Sequence, residues 1–255
     1  MNSLPIQEIE EKIKGQTTSL SEVHRYGHLG RTAIGAQFFS RFFGESEEDQ
    51  GIAYVAGLIH DLERPNTEKI DHSDISVREA TKFLSPFSVD QETKDEIILL
   101  IQTHRHAQDI PLSEQWVYLS DKLFEQMGAY VIFRRSYYVG ECEDFINVSM
   151  EEAVTSHMKT RMEKFHPDVF NIKLRKLAEY QYEWEKEFIN AFEKKEKWAW
   201  QLTQQFYTAG RKKTPFESLI NSFLPLGVED LKFKDEAIAY IYGKKYSFFE
   251  SLLLK

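Results

Sequence analysis

Cysteine is nearly missing from this chain: Cys142 is the one thiol in 255 residues. A single thiol closes no intramolecular disulfide and builds no thiolate zinc cluster. Glycine and proline are also sparse, at 12 and 7, with no Pro/Ser/Gly-rich linker and no internal repeat. That excludes collagen-like and low-complexity architectures. Positive charge is in deficit, 32 basic residues against 41 acidic, for a formal charge of −9. Binding a nucleic-acid backbone by bulk electrostatics needs a positive face, so a general nucleic-acid partner is disfavoured. A local pocket for one small phosphorylated ligand is compatible with the balance. No apolar run approaches the 18 or so residues of a membrane span. Residues Met1 to Gln16 are charged and lack the apolar core of a signal peptide. The expectation is a soluble, cytoplasmic protein with no membrane partner, in which the sequon Asn147-Val148-Ser149 carries no glycan.

What is present is core-forming material, 42% hydrophobic and 14% aromatic. The length suits one large domain or two small ones, and either buries a full core without covalent staples. The recurring pattern is helical. Ser19-x-x-Glu22, Thr93-x-x-Glu96 and Ser149-x-x-Glu152 have the capping-box form. The first predicts a helix from Ser19 to Phe43. Residues Gly51 to Ile59 are apolar nearly all round, as in a buried helix, and end at His60-Asp61. Asp71 or Ser73 caps the next helix, which Ser85-Pro86 stops. Periodicity predicts further helices over 94–106, over a long stretch after Pro111, and over 150–164, 168–208, 216–223, 235–243 and 246–253. No segment alternates like a strand. The expected class is all-α. A boundary near Gly140 to Asp144 divides it into an N-terminal domain, 1–143, and a helical extension, 144–255, packed on it.

Six of the eight histidines, 24, 28, 60, 72, 104 and 106, fall before residue 107. Imidazole nitrogen and carboxylate oxygen together suit Fe, Mn, Co, Ni or Zn better than Ca or Mg. A buried Asp61 is costly alone, and a bound cation offsets its charge. For an isolated His-Asp dipeptide the plain alternative is a satisfied core histidine beside a turn-capping aspartate. His72 and His104 have plain alternatives too, in hydrogen bonding at a helix start and a cation at a helix end. His24, one helical turn before His28, reads as a surface histidine, with the rim of a pocket as the alternative. His157 and His166 carry no assigned chemistry. The short basic run Arg211-Lys212-Lys213 reads as a solvated loop. Glycine-rich nucleotide loops, a His-Glu-x-x-His helix and a Gly-x-Ser-x-Gly elbow are all missing.

The order of the remaining residues resembles the HD-domain metal-dependent phosphohydrolases. His28-Leu29-Gly30-Arg31 places an arginine three after a histidine. Val55-Ala56-Gly57-Leu58-Ile59-His60-Asp61 is similar to that family's central signature, and Val117-Tyr118-Leu119-Ser120-Asp121-Lys122 to its last one. The likeness covers about residues 20–135. It implies an HD-type helical bundle in which His28, His60, Asp61 and Asp121 hold one divalent transition metal. In two-metal relatives Asp61 bridges, and His72 and His104 stand where the second metal is bound. Arg64 occupies a position where many two-metal members have lysine; a guanidinium there can clamp a phosphoryl oxygen, and the plain alternative is a solvated arginine before Pro65. His106 is a weaker ligand, or the proton donor to the leaving group. Glu63 replaces a small glycine of the two-metal signature. The paired-glycine loop of cyclic-dinucleotide phosphodiesterases is missing after His104, so that specificity is not implied.

The resemblance therefore implies a metal-dependent phosphohydrolase acting on a nucleotide or other small phosphate ester. One or two ions (Fe, Mn, Co, Ni or Zn) would activate water towards hydroxide, with Asp61, Arg64 and His106 as the catalytic side chains. Two alternatives stand beside it. A minority of HD proteins carry a di-iron centre and perform oxygenation. The other alternative is a non-catalytic module with structural metal, its aromatic second half serving as a partner or homo-oligomer surface.

Overall fold

The computed structural model describes residues 4–65, 67, 73–105 and 110–255. Among them the chain is all-α, without a strand. It divides into two compact units, Met1–Phe124 and Glu125–Lys255.

In the first unit α1 (Ile6–Gln16) packs on α3 (Glu47–Ile59), and α2 (Tyr26–Phe42) runs along α3. Next come α4 (Ser73–Leu84) and α5 (Gln91–Thr103), then the short α6 (Trp116–Leu119), which widens into a π-helical turn, Ser120–Phe124. The start of α3 is fixed locally: Ser46 and Asp49 form a reciprocal capping box, and Glu47 and Glu48 put negative charge in the first turn. From Gly51 to Ile59 every residue but Tyr54 is buried, as the apolar run predicts. Tyr54 ties α3 to α1 through a 2.5 Å hydrogen bond to Glu10.

Two close approaches set the spacing of the first unit. At Gly57 a Cβ would lie 2.7 Å from Ala33 Cα and 2.9 Å from Thr32 O, so the backbones of α2 and α3 meet there. At Gly35 the missing side chain admits Ser120 and Phe124; Ser120 Oγ donates to Thr32 O at 2.8 Å. The π turn is thereby seated on α2.

In the second unit α7 (Ala129–Glu141) is buried from Ala129 through Gly140. Around it pack α8 (Met150–Lys164), α9 (Arg175–Glu193), α10 (Lys197–Arg211), α11 (Phe216–Ser222) and α12 (Val228–Ile241), while α13 (Tyr246–Leu253) packs on α9. Gly140 and Gly210 bring α7 and α10 into backbone contact. The sequence step near Gly140 to Asp144 thus falls at the C-terminal end of α7.

Several predicted helix bounds need correction. No helix begins at Ser19: Leu20 and Arg25 are extended between 3-10 turns, and Ser21 turns its hydroxyl to His24, so α2 starts at Tyr26. The stretch after Pro111, expected to run through Met127, is not one long helix: a 3-10 turn at Leu112–Glu114, the short α6 and the π turn follow one another and end at Phe124. Nor is 168–208, which is broken at Lys195 with φ +57° and preceded by 3-10 turns at Pro167–Val169 and Ile172–Leu174. Thr93 does not cap α5 either; Asp90 accepts the Thr93 N–H one turn earlier. Ser149 does cap α8.

Two measurements test this packing. Gly57→Ala forces α2 from α3 and should cost about 1–3 kcal/mol of stability by urea denaturation. In the second unit burial pushes the Glu185 carboxyl up to about 7, against the pull of Arg135 and the Gly128 N–H it accepts. The folded chain then holds a proton that the unfolded chain releases near 4.5, so stability falls as pH rises through that window. Glu185→Gln, which keeps the acceptor, should be more stable than the parent at about pH 8, with the difference gone at 4.5.

Candidate metal centre

Four elements of the first unit bring the site together. His28 lies one turn into α2, His60 and Asp61 follow the last turn of α3, His104 follows α5, and Asp121 sits in the π turn. All five side chains are buried. Their imidazoles stand in file with His24: ring centroids are 5.6 Å apart for His24–His28, 5.2 Å for His28–His60 and 5.3 Å for His60–His104.

The two helix-end histidines are oriented by the same local device. His60 Nδ1 lies 2.8 Å from Gly57 O, and His104 Nδ1 contacts Ile101 O, each three residues back. A carbonyl oxygen only accepts, so both Nδ1 atoms carry a proton, and the lone pair of the neutral ring is then on Nε2. Burial drives the pKa of His104 down to about 3, despite the neighbouring Asp61, and keeps the ring neutral. Neutral imidazole is the form that binds metal.

His28, His60 and Asp121 each offer a ligand atom, and these atoms lie within 4.8 Å of one another. His28 Nε2 is 3.9 Å from Asp121 Oδ1. His60 Nε2 is buried without a hydrogen bond. It faces Asp61 Oδ2 at 3.7 Å, and His104 Nε2 faces Asp61 Oδ1 at 3.8 Å. A buried imidazole nitrogen with no hydrogen bond, beside a second imidazole and a carboxylate, fits a divalent transition metal. Asp61 adjoins this trio without belonging to it: Oδ2 accepts from Arg64 Nη1 at 2.7 Å and Oδ1 from Ser76 Oγ at 3.3 Å. Arg64 is thus no solvated arginine but the direct partner of the central carboxylate. His72 and His106 lie outside the described residues.

Two residues at this site, Lys122 and Ser76, had no role from sequence, and a third, His24, was read chiefly as a surface histidine. Lys122 is buried, and its ammonium grips Asp121 Oδ2. Burial holds its pKa below the ordinary lysine value against the pull of Asp121. On a regular helix neighbours one apart do not face each other, so adjacency gave no signal; the partner of a buried Asp121 had to be sought by charge. Ser76 reaches Asp61 from α4, fifteen residues on, with no motif to mark it. His24 is buried rather than exposed, its Nδ1 2.6 Å from Ser21 Oγ. Its spacing from His28 was the available signal.

Residues 25–125 match the family model of the HD domain. Most members of that family are metal-dependent hydrolases. No curated protein and no solved structure matches the chain. Among the described residues no helix is long and apolar enough to cross a membrane.

Lys122→Met leaves the buried Asp121 charge without its ammonium and should cost about 3–5 kcal/mol in chelator. Urea denaturation with added Mn²⁺ should recover part of that loss, because a bound cation compensates the same carboxylate.

Proposed function

We propose that this protein is a metal-dependent phosphohydrolase acting on a nucleotide or other small phosphate ester. The observation that carries the reading is the buried His28–His60–Asp121 trio within a segment that matches the HD domain. His28, His60, Asp61 and Asp121 would hold one divalent ion, with His104, beside Asp61, as ligand for a second. When bound, such an ion supplies water activated towards hydroxide at neutral pH and a positive charge for phosphoryl oxygen.

The remaining work falls to the chain's own groups. The Nδ1–H bonds to Gly57 O and Ile101 O fix both helix-end imidazoles as Nε2 donors before any ligand arrives. Ser76 holds Asp61 by Oδ1 while Arg64 holds Oδ2, and Lys122 holds Asp121 by Oδ2. Arg64 supplies a planar donor fork for two oxygens of the phosphate. Because the site is buried, these charges act in a low dielectric, where each is worth more than in water.

The test begins with the chelated protein, reloaded with Mn, Fe, Co, Ni or Zn and assayed on nucleoside monophosphates and p-nitrophenyl phosphate. Metal-dependent phosphate release is expected. Oxygen uptake without phosphate release would turn the assignment to the oxygenase branch. Asp61→Ala should lose at least about a hundredfold in metal affinity, more than loss of an outer-shell contact costs, together with turnover. Full activity in that variant would refute the mechanism.

A further inference from the structure

Asp61 and Asp121 are each held by a cation of their own, but by differently placed oxygens. Asp121 gives Oδ2 to Lys122 and leaves Oδ1 facing His28 Nε2 at 3.9 Å. Asp61 does the reverse. Its Oδ2, the atom 3.7 Å from His60 Nε2, is the one that accepts from Arg64 Nη1 at 2.7 Å. Lys122 thus keeps the histidine-facing oxygen of its partner clear, whereas Arg64 is bonded to it. A divalent cation that took Asp61 Oδ2 as a ligand beside His60 would share that atom with the guanidinium, and the two charges would repel. Arg64 is also the more exposed of the two. Its side chain is 17% exposed against 9% for Lys122, and its backbone belongs to no helix, following the turn after α3 and preceding Pro65. Lys122 is buried within the π turn.

We infer that Arg64 is an exchangeable counter-ion: guanidinium and divalent metal compete for Asp61 Oδ2, and the metal's arrival releases Arg64 to the oxygens of a phosphate. The competition rests on the geometry of Asp61, and the release towards phosphate rests on the phosphohydrolase reading above. Linkage then makes metal and phosphate mutually reinforcing, since a phosphate that occupies Arg64 removes the metal's competitor. Before metal arrives, the arginine neutralises this buried carboxylate.

The experiment is a calorimetric titration of Mn²⁺ into the chelated full-length protein, with and without inorganic phosphate, for the parent, Arg64→Gln and Arg64→Lys, each checked for folding by circular dichroism. Without phosphate, Arg64→Gln should bind Mn²⁺ about tenfold more tightly than the parent, since a charged hydrogen bond no longer has to be broken. Arg64→Lys, lacking the fork, should shift the same way by less, and it serves as the reading if the glutamine variant is unfolded without metal. Equal or weaker Mn²⁺ binding in a folded variant overturns the competition. Phosphate should tighten Mn²⁺ binding in the parent by a larger factor than in Arg64→Gln; an equal factor in both overturns the release step. Tighter Mn²⁺ binding in the variants with no phosphate effect anywhere would leave the competition standing and remove the phosphohydrolase reading instead.

Discussion

Two carboxylates, Asp61 and Asp121, are buried beside imidazoles of the first unit, and neither can be left uncompensated there. Taking a carboxylate out of water costs several kcal/mol unless a positive group and hydrogen bonds replace the lost hydration. The first unit supplies both from side chains: Arg64 and Ser76 for Asp61, Lys122 for Asp121. The helices around them are arranged to deliver these groups. α3 and α5 end at the histidines, α4 brings the serine, and the π turn sets Asp121 and Lys122 side by side. The packing that holds the helices is in turn fixed by two glycines, since any side chain at Gly57 or Gly35 would keep α2 from α3 or from the π turn.

The charge arrangement also explains why the histidines are useful. An imidazole buried beside a carboxylate can become a cation or remain neutral, and desolvation decides for His104 in favour of neutrality. A neutral ring whose Nδ1 proton is already committed has one remaining function, donation from Nε2. The site is therefore preorganised by groups that never need to contact a ligand.

Much of this was legible in the sequence. His60-Asp61 at the end of an apolar run, with His28 before it and Asp121 after, marked the site, because the burial of a helix and the chemistry of its last residues are both local properties. The HD-domain match covers the same stretch. What stayed hidden depends on tertiary partners. Lys122 was one residue from a marked aspartate, yet helical geometry points neighbours apart, and the π turn that changes this has no sequence signature. Ser76 emerges from a separate helix. The break at Lys195 lies in a lysine- and glutamate-rich run with neither glycine nor proline to announce it. At Ser19 the cap pattern was present, but the extended, buried Leu20 outcompeted it.

The acceptors that orient His60 and His104 are main-chain carbonyls, those of Gly57 and Ile101. Every residue type carries that atom. Substitution at position 101 can therefore alter volume or polarity without removing the acceptor that sets the tautomer of His104, and position 57 is constrained by helix contact rather than by chemistry. The orientation of both imidazoles is inherited from helix termination itself, so sequence drift in the surrounding core can proceed a long way while the donor set stays intact.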